Sequence, residues 1–233
     1  MIRRFVLAAA AVVLIGAAPV ARAASLPPTW DGLVEIKNTK LKAVYLLPGA
    51  DFHAYDKVMF DPTEVDFVKG WVQHMNNTYS FAEGTTSDND AKLIANKVRE
   101  GVDKIWADAF TKAGWQVVTT PGPDVLRVGI TVLNLSVSAP FTVTDGSSNI
   151  RSLDAGRAEI LIQVRDSETG AVLGKAVDAN YAGTTDQGVP RSEASNQYDF
   201  TRLFDRWANF SVQGLGKLKD LSPVDDNGQP IKK

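Results

Sequence analysis

Ala158-Glu159-Ile160-Leu161-Ile162-Gln163-Val164-Arg165 runs straight into Asp166-Ser167-Glu168-Thr169-Gly170, and the chain continues through Ala171, Val172 and Leu173 to Tyr181. Ala158, Ile160, Ile162 and Val164 alternate with more polar neighbours, the period of a strand with one buried face. An Asp- and Gly-containing turn between two such runs predicts a β-hairpin. A sheet with one apolar face must be covered, so the rest of the chain has to supply the cover.

Two segments can do so. Ser87 is placed to cap a helix, with Asp90 three residues on in a capping-box spacing. Ile94, Val98, Val102, Ile105, Ala109 and Phe110 then form one apolar stripe, and Gly114 stands where a left-handed terminus belongs. A second stripe begins near Ser192 or Ser195 and carries Phe200, Phe204, Trp207, Ser211, Leu215 and Leu218. Further strands are predicted over Leu41–Leu47, around Val58 and Phe60, over Trp115–Thr119 and over Leu126–Leu133. Asp61-Pro62 should end the second of these, because proline donates no ladder hydrogen bond. Ala24–Asn38 reads as an extended lead-in, and Ala139–Asp154 as a long polar loop. The expected fold is α/β of the α+β kind: a two-layer sandwich with a mixed, mostly antiparallel sheet and two main amphipathic helices packed on it. Leu41–Leu47, the first helix and Trp115–Thr119 are expected to form one parallel crossover.

The amino terminus has the three parts of an export signal. Arg3 and Arg4 precede an apolar run from Phe5 to Ile15, and Ala21-Arg22-Ala23 is a small-x-small cleavage site, with cutting between Ala23 and Ala24. The run is too short to span a membrane, and Pro19 and Arg22 follow it. The paired arginines leave Sec and twin-arginine export both open. The expected organisation is a signal peptide over 1–23, a single α/β domain over 24–220 and a flexible polar tail over 221–233. The 233 residues include 25 Lys and Arg against 27 Asp and Glu, a net charge of −2. Cleavage removes three arginines and no acid, leaving 22 cations against 27 anions, or −5. Such an acidic chain lacks the footprint of a nucleic-acid binder. The absence of cysteine excludes thiolate chemistry, Cys-ligated metals and a lipid anchor at the cleavage site. A periplasmic or secreted location with no transmembrane span after cleavage follows.

Five stretches occur together. They are Leu47-Pro48-Gly49-Ala50-Asp51, Tyr55-Asp56-Lys57-Val58-Met59-Phe60-Asp61-Pro62-Thr63-Glu64-Val65, Pro121-Gly122-Pro123-Asp124-Val125-Leu126-Arg127-Val128, Asp166-Ser167-Glu168-Thr169-Gly170 and Phe204-Asp205-Arg206-Trp207-Ala208. In this order they resemble a bacterial family of exported proteins and lipoproteins known only as a domain of unknown function, number thirty-three thirteen. The resemblance runs from about Leu41 to Ala208. It implies an envelope location and no particular activity. The same residues have plain structural readings as a strand stop, two turns and a helix residue packed on the sheet.

Chemistry has few footholds. The two histidines are His53 and His74. His53 lies near Asp51 and Asp56, so a two-His, one-carboxylate site requires His74 to fold back onto that segment. Asp51, His53, Tyr55 and Asp56 are the candidate binding residues; no catalytic or metal-binding residue is assigned and no cofactor is expected. There is no Gly-x-Ser-x-Gly elbow and no phosphate loop. The chain therefore reads as a non-catalytic envelope protein that binds another envelope protein or a small ligand, through the Ala139–Asp154 loop or an exposed sheet edge. The alternatives are a periplasmic hydrolase or metal-binding protein using the Asp51–Asp56 segment, and a small-ligand carrier with an apolar pocket between sheet and helices.

Overall fold

The computed structural model describes residues 27–79, 85–138 and 151–231. The signal segment with Ala23 and Ala24, and residues 139–150 of the long loop, lie outside the described residues. In chain order the strands begin with β1 (Thr29–Trp30), β2 (Leu33–Ile36) and β3 (Ala43–Leu46). A single 3-10 turn over Phe52–Ala54 precedes β4 (Lys57–Phe60) and β5 (Glu64–Phe67). Then come α1 (Trp71–Thr78), α2 (Asp88–Lys112), β6 (Gln116–Val117) and β7 (Val125–Val137). The chain ends in β8 (Arg151–Ser152), β9 (Gly156–Asp166), β10 (Val172–Ala182), β11 (Val189–Pro190) and α3 (Glu193–Leu221).

Nine strands form one sheet in the order β1-β2-β3-β10-β9-β7-β4-β6, with β5 also on β7; β8 and β11 make a separate pair. The expected two-layer α+β sandwich is the one observed. The β9–β10 hairpin pairs Ile162 with Ala176 and Ile160 with Asp178, and Asp166 closes its turn by accepting from Thr169 N–H and Oγ, both at 2.7 Å. In β7, Leu126, Val128, Ile130 and Val132 are buried under the helices. Asn134, with φ +48°, then inserts a bulge that shifts the register by one. Leu135 and Val137 consequently stay on the covered face. Opposite the bulge the backbones are so close that a Cβ on Gly156 would stand 2.0 Å from the Ser136 carbonyl oxygen.

The parallel crossover has a different first strand from the one expected. β6 pairs in parallel with β4, Val58 against Val117. β3 cannot take that place, because β10 holds it antiparallel on the far side of the sheet, Tyr45 against Lys175. Tyr45 also explains why both faces of β3 are apolar. It is fully buried in a second small core with Leu33 and Ala43 on the face away from α2 and α3, and its hydroxyl donates to Pro27 C=O at 2.8 Å. The lead-in thus contains the β1–β2 hairpin, turned by Asp31 and Gly32 at positive φ.

α2 starts where its cap predicts, and α3 starts after Ser192, the first of the two serines expected. Ser87 and Asp90 form a reciprocal capping box, and so do Ser192 and Ser195. Trp106 and Phe110 of α2 and Trp207 of α3 are fully buried against the sheet, and Trp207 Nε1 donates to Asp178 Oδ2 at 2.7 Å. Burial of one such ring contributes about 1.5–3 kcal/mol. Residues 222–231 differ from the flexible tail expected. Val224 is buried, its carbonyl accepts from Gly49 N–H at 2.8 Å, and Ser222 Oγ accepts from Phe52 N–H at 3.0 Å. A polar composition concealed this, because the attachment is made mostly by backbone groups.

Candidate functional site

Residues of three of the five stretches, Tyr55–Asp61, Gly122–Arg127 and Asp166–Ser167, meet at one corner of the sheet, where β4 and β7 begin and the β9–β10 turn closes. Tyr55 is buried and its hydroxyl donates to Asp166 Oδ2 at 2.9 Å. Burial, with the Asp166 carboxylate beside it, pushes the Tyr55 phenol up to about 12. The Thr169 hydroxyl and N–H hold Asp166 below the usual carboxylate range, and Tyr55 adds to this. Lys57 Nζ donates to Asp124 Oδ2 at 2.5 Å, which raises the lysine and lowers the acid. Ser167 Oγ donates to Gly122 C=O at 2.9 Å and accepts from Gly122 N–H at 3.0 Å. Arg127 pairs with Asp61, and the backbone of Thr63 is bound by Asp103 and Arg99 of α2. Each group is engaged by another element of the same chain, so the corner ties strand ends together.

The other candidate residues divide. Asp51 caps the 3-10 turn: its Oδ1 accepts from His53 N–H at 2.9 Å and lies 2.6 Å from His53 Nδ1. Both side chains are about half exposed. Asp56 is exposed, with its N–H donating to Asp124 C=O at 3.2 Å. His74 sits on α1, on the wall of a separate hollow with Lys69 and Tyr79. Among the described residues no three His, Cys, Asp or Glu side chains come close enough together to hold a metal ion.

A different feature lies between the two long helices. Lys97 of α2 and Glu193 of α3 form an ion pair at one end, and Lys219 Nζ of α3 lies 4.8 Å from the Trp115 ring centre just past the other end of α2. The helices therefore run parallel. Over their N-terminal halves they part to leave a groove of about 210 Å³. Ile94, Val98 and Ile105 line one wall, Phe200 and Phe204 the other, and Val137 of β7 contributes to the floor. Asp90 lines the groove near the start of α2, and the Lys97–Glu193 pair lines it about two helical turns further on. Gly101 lines the groove with nothing within 4 Å of an added Cβ, and Leu93 beside it is 60% exposed. Between helices and sheet, where the carrier alternative places its pocket, Trp106, Phe110 and Trp207 are fully buried, and a smaller hollow of about 60 Å³ lies over Ile162 and Ala176.

The sequence pattern of the family described as "Protein of unknown function (DUF3313)" matches residues 25–210. The chain belongs to that family. No curated protein matches it. Solved structures similar to this DUF3313 member include the PelC dodecamer from Paraburkholderia phytofirmans, 14% identical over 72% of this chain and 94% of that one, with a TM-score of 0.35. A DUF330 protein from Xanthomonas campestris is 12% identical over 74% of this chain and 90% of its own, with a TM-score of 0.39. A candidate lipoprotein from Caulobacter crescentus is 15% identical over 71% and 90%, with a TM-score of 0.33. No described helix of the DUF3313 chain is long and apolar enough to cross a membrane.

Sequence reasoning missed the groove in this DUF3313 protein. Its residues are the ordinary apolar stripes of two amphipathic helices, and stripes are normally covered. One signal was available. Gly101 stands in the middle of a strong helix, at a cost of about 0.8–1 kcal/mol relative to alanine, with no turn to require it.

Proposed function

We propose that this protein is an exported, non-catalytic binding protein of the cell envelope, with its contact surface in the α2–α3 groove. The observation that carries the proposal is the contrast in how side chains are employed. The polar residues of the corner, Tyr55, Lys57, Asp61, Asp124 and Asp166, are bound to one another, to Arg127 or to backbone. The apolar residues Ile94, Val98 and Phe200 leave a cavity open between two helices. Catalysis needs convergent, activated groups in a cleft. Binding needs a concave apolar surface with a few polar groups at its margin, which the groove provides. The same contrast supports placing the contact surface here in preference to the β6 edge, which is only two residues long. Asp51, His53 and Asp56 are proposed as surface residues of the turn, with Tyr55 as framework.

Site-specific photocrosslinking in intact cells tests this. A photoreactive residue at position 93 is expected to give adducts with an envelope component, while one at Asp226 gives none. Equal labelling from both positions, or none from position 93, overturns the proposal.

A further inference from the structure

A second concavity lies away from the α2–α3 groove, where the C-terminal half of α3 faces β3 and the segment leading into it. It consists of two hollows, of about 90 Å³ and about 60 Å³. Leu41, Val44, Phe210, Gly214 and Leu218 line both, so the two adjoin and form one trough with an apolar floor. An apolar cavity of about 150 Å³ is large enough to take a benzene ring, and the two hollows together have that capacity. Gly214 contributes to the space. It stands inside α3 at a cost of about 0.8–1 kcal/mol relative to alanine. Nothing lies within 4 Å of a Cβ added there.

The rim carries one sign of charge. Lys37, Lys40 and Lys217 line the larger hollow, and among the described residues no Asp or Glu lines either one. This reverses the balance of the whole chain, in which 27 acids outnumber 25 bases. Lys40 Nζ is placed over the floor: it lies 5.1 Å from the Phe210 ring centre and donates to Gln213 Oε1 at 2.6 Å. Lys217 follows Gln213 by one turn of α3, a rise of about 6 Å, and borders the same hollow. Lys37 is paired with Glu35. Lys40 and Lys217 form no ion pair among the described residues. An amide and a ring hold Lys40 where a carboxylate would make a stronger, charge-assisted bond. An anion therefore complements this rim, and a cation would be repelled by it. We infer that the trough binds a small carboxylate carried on a ring-sized apolar body, the ring over Leu41, Val44 and Phe210 and the carboxylate at Lys40 and Lys217.

An NMR titration of the purified, isotope-labelled chain with phenylacetate tests the inference. Phenylacetate is expected to shift the Gly214 amide saturably, one to one. Benzylamine has the ring and the opposite charge, and acetate has the charge and no ring. Each should bind at least about ten-fold more weakly, the scale of one charged hydrogen bond or one buried ring. Gly214→Leu fills the trough and should weaken phenylacetate at least about ten-fold while leaving Tm unchanged or higher, because the added atoms meet open space and leucine favours the helix. Lys217→Gln, at an exposed position, should weaken it about ten-fold with Tm unchanged. Benzylamine or acetate binding as tightly as phenylacetate, undiminished binding by Gly214→Leu, or no saturable shift at Gly214 overturns the inference. If phenylacetate does not bind but vesicles containing an anionic phospholipid retain the chain and Lys217→Gln releases it, the face is a membrane contact and the small carboxylate is rejected. Crosslinking from position 93 reports on the α2–α3 groove, so the binding role proposed above stands or falls separately.

Discussion

The corner at Tyr55 and Asp166 and the groove between α2 and α3 are built from opposite materials. The corner is polar, sequence-distinctive and internally satisfied: Tyr55 meets Asp166, Lys57 meets Asp124, Ser167 meets Gly122. The groove is apolar, undistinguished in sequence and open, with Leu93 60% exposed above Ile94 and Phe200. The difference teaches that an unusual run of charged residues can be framework; on the reading proposed above, contact is left to leucine, isoleucine, phenylalanine and one glycine. Loss at the corner should therefore appear as lost stability with binding intact, and changes on the groove's margin as the reverse.

The largest effect tests where that division ends. Phe204 is both groove wall and core, only 3% exposed. Phe204→Ala should cost about 3–5 kcal/mol in urea unfolding and reduce crosslinking from position 93 as well, because the cavity term and the lost wall come together. Unchanged stability would place Phe204 outside the core.

Asp166→Ala comes next. It removes the acceptor of the Tyr55 hydroxyl and of Thr169 and should lower unfolding free energy by about 2 kcal/mol, with crosslinking from position 93 unchanged in the folded protein. A binding loss with no stability loss would make the corner a site.

Tyr55→Phe should cost about 1 kcal/mol and alter the alkaline limb of stability. The native phenol is raised from 10.0 to about 12, so its contribution is complete below about pH 10 and is lost as pH rises through 12. The variant should lack that loss in a pH series of urea midpoints. Asp166 works in the other direction. Its native pKa is lowered, so its contribution is present above the ordinary carboxylate range and disappears as pH falls through the native value. A Tyr55→Phe protein with the parent's alkaline profile would show that the phenol is not held by Asp166.

The smallest effect lies on the groove's margin. Leu93→Ala should change stability by less than about 0.5 kcal/mol, as expected for an exposed position. It should still reduce crosslinking from a photoreactive residue at position 97, which lines the same groove. A large stability loss would mean that Leu93 is covered in the folded chain.

Much of this architecture was legible residue by residue. Asp166 and Gly170 marked the hairpin turn, Ser87 with Asp90 marked one helix start, Ser192 or Ser195 the other, and Gly114 a helix end at φ +89°. Local rules suffice there because the caps and turns are satisfied within a few residues. They failed for β5 and α1, which are short and take their partners from elsewhere, β7 for Val65 and the Val137 carbonyl for Trp71 Nε1. They failed for the crossover strand, since only the position of β10 decides that β3 lies too far from β6. They failed for the chain end, where Val224 and Ser222 are held by the backbone of Gly49 and Phe52.

By itself the amino-acid sequence determined the hairpin, the two long helices and the need to cover one sheet face, because hydrophobic period and capping chemistry act over a few residues. Only the tertiary structure decided that the corner's charges would meet one another and that the helices would separate along Ile94, Val98 and Phe200. Both outcomes depend on how far apart packed elements stand. That spacing is set by side chains such as Trp106 and Trp207 that fill the space against the sheet, and no local pattern along the chain encodes it.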